Sequence, residues 1–417
     1  MRKIEPGVSR RSFLARGAVT TLVATAPAPS RTTESKAAAD ERKLRIDRAI
    51  DRAIAERRVV GGVVMVMQDG NVVYRRAAGQ ADRELNRPMR EDAMFRLASL
   101  SKPIVSAAAM ALVERGRLDL QDPVPEWLPD FRPQTRDGRV PVITIRHLLT
   151  HTAGLSYGFL QPSDGAYYRA GVSDGLDRSG ISLDEEVRRI AAAGLAYEPG
   201  TKWGYSVAID VLGAVIAKVA GEPLPEAVRR LVTAPLALDD TGFLVADGTR
   251  LAVPYLDGKS EPARMEDPQV VPFRGNGVIS FSPSRAFDPT SFPSGGAGMV
   301  STANDYARFL EALRLGGGQL LKASTVQQIT TNQIGDLSPT NLPAWGFGYG
   351  AIILKDKALA KSPQMAGTWT FNSASGQSFF VDPERKLTVV AFTNTALEGG
   401  FGAFPIEIRD AVYGRSE

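Results

Sequence analysis

A serine and a lysine three residues apart are the strongest candidates for chemistry in this sequence. Ser99 and Lys102 lie in segment 95–103, which leads into an apolar helical pattern at 104–112. Residues i and i+3 of a helix share one face, with Cβ atoms about 5–6 Å apart, so the amine can reach the hydroxyl. A serine at a helix N-terminus also lies among unpaired N–H groups that favour a developing oxyanion. The spacing predicts an activated nucleophile; a helix cap followed by a surface lysine is the alternative.

A tyrosine further along the chain can complete this chemistry. Tyr205 precedes a second apolar helical pattern, which ends at Gly221. Tyrosine has an unperturbed pKa near 10 and becomes a useful base only beside a cation, which Lys102 can supply. We predict that Tyr205 and Lys102 act together; a core tyrosine followed by a capping Ser206 is the alternative.

Residue counts exclude several other kinds of site. The chain has no cysteine, so a thiolate nucleophile, a disulfide and a cysteine-ligated metal are all excluded. His147 and His151 have the i,i+4 spacing of some zinc sites, but no glutamate follows His147 and Gly154 is expected to end the helix. We interpret both as histidines bonded to backbone at a helix end. Segment 346–351 imitates a dinucleotide fingerprint but leads into a strand instead of a helix.

The net charge of the chain lies at its amino end. Of the formal charge of +4, residues 1–30 supply five cations and one anion, which leaves the remainder neutral. We therefore expect no nucleic-acid partner. No apolar run approaches the roughly 20 residues that a membrane-spanning helix needs.

The amino end itself has the features of an export signal. Residues 9–14 read Ser-Arg-Arg-Ser-Phe-Leu, a twin-arginine pattern, and a weakly apolar run follows at 17–26. We predict a twin-arginine signal and linker over residues 1–39, with export to the periplasm or the exterior.

Hydrophobic periodicity predicts strands at both ends of the chain and helices between them. An amphipathic helix is expected at about 41–57, and the dipeptide Asp69-Gly70 between apolar runs predicts a tight hairpin. Further strands are expected at about 345–354 and 378–392, before a closing helix at 404–412. The Pro- and Gly-rich stretch 252–295 is expected to be a long surface excursion.

This order of elements predicts an α+β fold with one antiparallel sheet built from both chain ends and flanked by helices. The sheet domain is expected to comprise residues 40–95 and 340–417. An inserted, mainly helical domain with long loops is expected at 96–339. Clefts at such junctions favour ligand binding, so we expect the site there.

The motifs together resemble the serine β-lactamase and penicillin-binding-protein superfamily, and most closely the family VIII carboxylesterases. The resemblance rests on Ser99-x-x-Lys102, Tyr205-Ser206 and segments 151–155, 116–123 and 295–302, and covers about 41–415. It implies a β-lactamase/transpeptidase-like fold. It also implies that Ser99 is the acylated nucleophile, with Lys102 and Tyr205 sharing the general-base role.

The chain departs from this family at its third motif. Phe371-Asn372-Ser373 stands where relatives carry Lys-Thr-Gly or Trp-Gly-Gly, and Phe371 offers only an apolar face. Val207 replaces the asparagine that lactamases carry two residues after the tyrosine. Both changes favour a neutral ester, either short-chain or bulky, over a penicillin or peptide.

The resemblance implies further parts of the site. The backbone N–H groups of Ser99 and Ala374 would form the oxyanion hole. Apart from the resemblance, the loop aromatics Tyr157, Phe159, Tyr167 and Tyr168 are candidates to line the acyl or alcohol pocket; the alternative is that they pack on the body of the protein.

We therefore predict a serine carboxylesterase that uses no metal or cofactor and has a small-molecule ester as its partner. The alternatives within the superfamily are an acyltransferase and a β-lactamase or D-amino-acid peptidase. The alternative from another class is a non-catalytic penicillin-binding-like sensor.

Overall fold

The largest sheet of the protein contains strands from both ends of the chain. The computed structural model describes residues 36–245, 247–273, 277–339 and 342–415. Residues 41–417 form one unit, and residues 36–40 are described as the start of the first helix. The twin-arginine pattern and most of the linker lie outside the described residues, so the export signal stays a prediction.

The helices in the described ranges are α1 Lys36–Ala55, α2 Ser101–Glu114, α3 Ile145–Leu149, α4 Ala166–Arg169, α5 Leu183–Ala193, α6 Ala208–Ala220, α7 Leu224–Val228, α8 Ala303–Arg314, α9 Ala323–Thr330, α10 Glu398–Phe401 and α11 Phe404–Tyr413. The strands are β1 Gly61–Gln68, β2 Asn71–Asp82, β3 Arg87–Pro88, β4 Met94–Arg96, β5 Tyr255–Leu256, β6 Ala263–Arg264, β7 Gln269–Phe273, β8 Gly277–Phe281, β9 Val300–Thr302, β10 Trp345–Phe347, β11 Ile352–Leu354, β12 Trp369–Asn372, β13 Gln377–Asp382, β14 Leu387–Thr393 and β15 Thr395–Ala396.

Eight strands form the main sheet in the order β10-β11-β12-β13-β14-β1-β2-β3, and every neighbouring pair is antiparallel. Strand β14 lies between β13 and β1, with Ala391 opposite Val64 and Val390 opposite Phe379. The two chain ends are thus joined at the middle of the sheet. The predicted α+β fold class is confirmed.

The predicted hairpin is present at Asp69-Gly70. Gln68 pairs with Asn71, so the turn has two residues, with φ of 52° at Asp69 and 83° at Gly70. Two consecutive positive φ angles match the twist of the flanking strands, and glycine adopts the second without steric cost.

Alternating side chains of β1 are buried on the two opposite faces of the sheet. Val64 and Val66 pack with the apolar stripe of α1 and with α11. Val63 and Met65 point to the other side, where the core includes α2, α6 and α8. This period of two is what a sheet covered by helices on both faces requires.

The stretch 252–295 differs from the prediction. It forms strands β5 to β8, and Tyr255, Ile279, Phe281 and Phe292 are buried. The surface prediction holds for residues such as 257–261 and 266–268, which are exposed, but it is wrong for these four buried residues. Pro and Gly mark the turns of this stretch, while the apolar residues between them pack on the body.

The domain boundaries at residues 95 and 340 stay a prediction. Within the described part of the chain, no helix combines the length and apolarity needed to cross a membrane.

Candidate active site

Ser99 lies in a 3₁₀ turn, Ala98–Leu100, between β4 and α2. The predicted helix therefore begins with a tighter turn before the α-helix starts at Ser101. Ala98 has a φ of 40°, which is unfavourable for a residue with a Cβ atom. Ala98 and Leu100, on either side of Ser99, are buried, whereas Ser99 is partly exposed. The turn thus presents the hydroxyl at the surface of the core.

Tyr205 reaches the serine directly. Its Oη donates a hydrogen bond to Ser99 Oγ at 2.7 Å. Backbone contacts fix the approach to α6, because Gly204 N donates to the carbonyl of His151 and Val207 N donates to the carbonyl of Ser156. Burial raises the pKa of Tyr205, against the opposing effect of the Ser99 hydrogen bond. The resting tyrosine is therefore a neutral phenol.

Lys102 lies in the first turn of α2 and is 1% exposed. Its Nζ donates to the carbonyl of Gly296 at 2.8 Å and lies 4.6 Å from the ring centroid of Tyr205. Burial lowers the pKa of Lys102 to about 7, against the opposing charges of Asp210 and Asp174. Near neutral pH a large share of this amine is unprotonated and able to accept a proton.

The structure thus brings together the three residues that the sequence singled out. Ser99 and Lys102 come from one turn-helix junction, and Tyr205 from a segment 106 residues away from Ser99. A hydroxyl, a neutral phenol and a low-pKa amine form an arrangement that can activate a serine nucleophile.

Phe371 and Val207 occupy different environments. Phe371 is buried on β12, with its ring centroid 6.2 Å from that of Tyr205, so an apolar surface adjoins the phenol. Val207 is completely buried at the start of α6 and leaves no side-chain surface for a ligand in this conformation. The substrate-binding role of each stays a prediction.

Tyr157 and Phe159 form an aromatic layer against the site. Their rings stack with centroids 4.6 Å apart, and Tyr157 lies 5.1 Å from Tyr205. Phe159 in turn meets Phe273 of β7 edge to face at 5.4 Å. Both predicted residues are buried and pack on the body, and Tyr157 also adjoins the ring of Tyr205.

Ala374 follows β12 by two residues, and β12 contacts the turn that carries Ser99. The carbonyl of Ala374 accepts from Leu397 N at 3.1 Å, which holds this backbone segment in place. The two backbone positions predicted for the oxyanion hole therefore lie on adjoining elements.

The histidines have structural partners. His147 Nδ1 accepts from Thr144 N at 3.2 Å and completes a capping box at the start of α3. His151 is buried, and its Nδ1 lies 3.2 Å from Ser206 Oγ, so its partner is a side chain rather than the backbone that we expected. Burial, and secondarily Lys102, lower the pKa of His151 well below its usual value. No cluster of metal-ligating side chains is found among the described residues.

A cavity of about 50 Å³ adjoins the site. Ala98, Ala297 and Ser375, each next in sequence to a site residue, form part of its wall. Met265 and Phe281, from the stretch expected to lie on the surface, close it with apolar side chains.

Sequence reasoning missed the acids behind Lys102. Asp210 and Asp174 both act on its amine, and Asp210 is buried in the first turn of α6. The available signal was an acid inside an otherwise apolar helix, because a buried charge needs a partner.

Comparison with known proteins finds related chains of similar length. The sequence model of the family described as Beta-lactamase matches residues 46–411. Esterase EstB of Burkholderia gladioli is 49% identical over 373 residues, 89% of this chain and 95% of that protein. Monacolin J acid methylbutanoyltransferase of Aspergillus terreus is 28% identical over 86% of this chain and 92% of its own length.

A solved structure agrees closely with this fold. The structure titled EstCE1, a hydrolase with promiscuous acyltransferase activity, superimposes with a TM-score of 0.89 at 44% identity, and the match covers 91% of this chain and 100% of that one.

Proposed function

Since the chain belongs to the beta-lactamase family, we propose that it is a serine carboxylesterase in which Ser99 carries the acyl group. The observation that carries this proposal is the 2.7 Å hydrogen bond between Tyr205 and Ser99, beside the buried amine of Lys102. The 49% identity to a protein named an esterase supports the same activity.

The reaction proceeds in two steps. Ser99 Oγ attacks the ester carbonyl carbon while its proton passes to the Lys102–Tyr205 pair. The pair returns that proton to the alcohol as the ester C–O bond breaks. Water then attacks the acyl-enzyme and gives a proton to the same pair. The pair returns that proton to Ser99 Oγ as the bond between Oγ and the acyl carbon breaks and the acid is released. Lys102 and Tyr205 thus replace the histidine and aspartate of the usual triad.

The proposed substrate is a neutral ester. Phe371 places an apolar surface beside the phenol, at the point where a lysine would hold a carboxylate. Met265 and Phe281 in the wall of the adjoining cavity are apolar as well, which also suits a neutral group.

Acyl transfer is the second candidate, because two relatives carry that activity in their names. One is the methylbutanoyltransferase and the other is the hydrolase described as having promiscuous acyltransferase activity. An acyl-enzyme transfers to any alcohol that outcompetes water. Product analysis with and without an added alcohol separates transfer from hydrolysis.

The esterase proposal is tested with p-nitrophenyl esters of increasing acyl length and a phosphonate inhibitor. We expect Ser99→Ala to lose ester turnover and to show no phosphonate adduct by mass spectrometry. Ser101→Ala is the matched control, because Ser101 Oγ is buried and accepts from Met299 N instead of facing the site. It should keep both turnover and adduct.

Other outcomes assign the alternatives. Undiminished turnover in Ser99→Ala contradicts the proposal. Nitrocefin hydrolysis that exceeds ester hydrolysis indicates a β-lactamase, and covalent labelling without any turnover indicates a sensor.

A further inference from the structure

A buried acid lies behind the amine of the site. Asp210 is the third residue of α6, whose other residues are apolar apart from Lys218 near its end. Its side chain is 0% exposed. A buried carboxylate is costly unless other groups compensate its charge, so its partners identify its role.

Asp210 is linked to Lys102 through hydrogen bonds to Gly296. Its Oδ1 accepts hydrogen bonds from Ser294 Oγ at 2.5 Å and from Gly296 N at 3.2 Å. The carbonyl of Gly296 accepts from Lys102 Nζ at 2.8 Å. A Cβ atom at position 296 would lie 2.6 Å from Asp210 Oδ2, so only glycine allows this close approach. The carboxylate, the glycine and the amine form one packed unit.

The second carboxylate oxygen of Asp210 takes no part in holding Gly296, so its burial needs another explanation. Asp210 Oδ2 is buried and has no hydrogen-bond partner among the described residues. Leaving such an oxygen unpaired is unfavourable, and more so for a charged group. Burial raises the pKa of Asp210, while Ser294 and the charge of Lys102 oppose that rise. The carboxylate and the amine therefore stabilise each other's charged forms.

We propose, on the basis of the esterase function above, that Asp210 is a positioning residue that holds Lys102 through Gly296 and balances its ammonium charge during acylation. As Ser99 Oγ bonds to the ester carbon, its O–H bond breaks and the proton moves to the amine. The proton leaves with the alcohol when the ester C–O bond breaks. Asp210 itself takes up no proton in this step.

Other titratable groups surround this pair. Asp174 also acts on Lys102, and burial raises the pKa of Asp174 to about 7, so both groups titrate in one range. The other groups whose charges act within this cluster include Tyr157, Tyr205, His151, Asp177, Glu186 and Arg285.

The test is the pH profile of kcat/KM for a p-nitrophenyl ester with Asp210→Asn. This change removes the charge, keeps one oxygen acceptor for Ser294 and Gly296, and puts an NH2 group in the place of Oδ2. Without that charge the pKa of Lys102 falls further, so the acid limb should move to lower pH by about one unit. The plateau should fall at least about tenfold, because the ammonium formed during acylation is no longer balanced.

Two further variants show which residue produces the acid limb of the pH profile. Asp305→Asn makes the same change at a buried aspartate of α8 that accepts from Asp240 N and Thr241, and it should leave the limb in place. Asp174→Asn should keep a limb, because Lys102 still titrates. Loss of the limb in Asp174→Asn would assign it to Asp174 and overturn the proposal.

An unchanged limb in folded Asp210→Asn shows that the residue is only an anchor and also overturns the proposal. If Asp210→Asn does not fold, Ser294→Ala serves instead, because it removes one donor from Oδ1 and should move the limb in the same direction by less. An unmoved limb there has the same meaning. If the parent protein shows neither ester turnover nor a Ser99 adduct, the esterase function itself is contradicted. Failure of the esterase proposal is therefore distinguishable from failure of the Asp210 proposal.

Discussion

At the scale of single residues, the site divides its proton chemistry between two groups with opposite pKa shifts. Burial raises the pKa of Tyr205 and lowers that of Lys102 to about 7, since burial disfavours the charged form of each. The phenol is therefore a donor to Ser99 at rest. The amine is the group of this pair that changes charge near neutral pH.

This division predicts the pH dependence of ester hydrolysis. The neutral amine is the form that accepts a proton, so kcat/KM should rise with pH through a limb near pH 7 and level off above it. Tyr205→Phe removes the donor to Ser99 but keeps the ring. It should lower kcat/KM by about 10²- to 10⁴-fold and leave the limb in place.

A matched tyrosine tests that assignment. Tyr413 lies on α11 and donates to Asp382, away from the site, so Tyr413→Phe should retain the parent kcat/KM. If Tyr205→Phe and Tyr413→Phe have equal activity, the phenol has no part in the reaction.

At the scale of elements, α5 carries a carboxyl group in an unfavourable place. Glu186 is buried, its Oε2 accepts from Ser173 N at 3.1 Å and its Oε1 has no partner in the described chain. Burial raises the pKa of Glu186 to about 9, far above its value of about 4.3 in an unfolded chain. The protonated Glu186 contributes fully to stability at pH values below its unfolded pKa, and this contribution is lost as the pH rises toward its folded pKa.

This predicts a pH-dependent gain from Glu186→Gln. The neutral amide avoids the cost of keeping the carboxyl protonated, so the variant should gain Tm relative to the parent at pH 8, by about 2 °C or more, and gain less at pH 5. Thermal unfolding at both pH values measures this difference.

The adjacent glutamate is the control for this change. Glu185 is paired with Arg188 and Arg189, which lower its pKa, so Glu185→Gln should give no gain at pH 8. Equal behaviour of the two variants would contradict a buried, protonated Glu186.

At the scale of the whole molecule, the sheet made from both chain ends supports the nucleophile. Phe392 of β14 is completely buried, with its ring 5.7 Å from Phe95 of β4 and 5.5 Å from Tyr306 of α8. Strand β4 leads directly into the turn of Ser99. Tyr306 also donates to the carbonyl of Leu100 at 2.9 Å, so the same cluster holds that turn.

We therefore predict that Phe392→Ala lowers the free energy of unfolding by about 3–5 kcal/mol, as measured by denaturant titration. Phe401→Ala is the matched control, because Phe401 is 54% exposed and its loss should change stability by less than about 0.5 kcal/mol. Similar losses in both variants would contradict the role of Phe392 as a core link between sheet and helices.

Local sequence patterns were sufficient to predict several elements of the fold. The Asp69-Gly70 hairpin, the stripe of α1 and the helix after Lys102 each depend on neighbours in the chain, and each was predictable. The packing of stretch 252–295 was not predictable, because its burial depends on residues far away in sequence.

The sequence by itself determined the fold class, the spacing of Ser99 and Lys102 and the candidacy of Tyr205, because periodicity and i,i+3 geometry are local properties. The tertiary structure alone decided that Tyr205 donates to Ser99, that Lys102 binds Gly296 and that Asp210 lies behind it. It also decided the charge states, because burial and long-range contacts set a pKa, and neither is written in the order of residues.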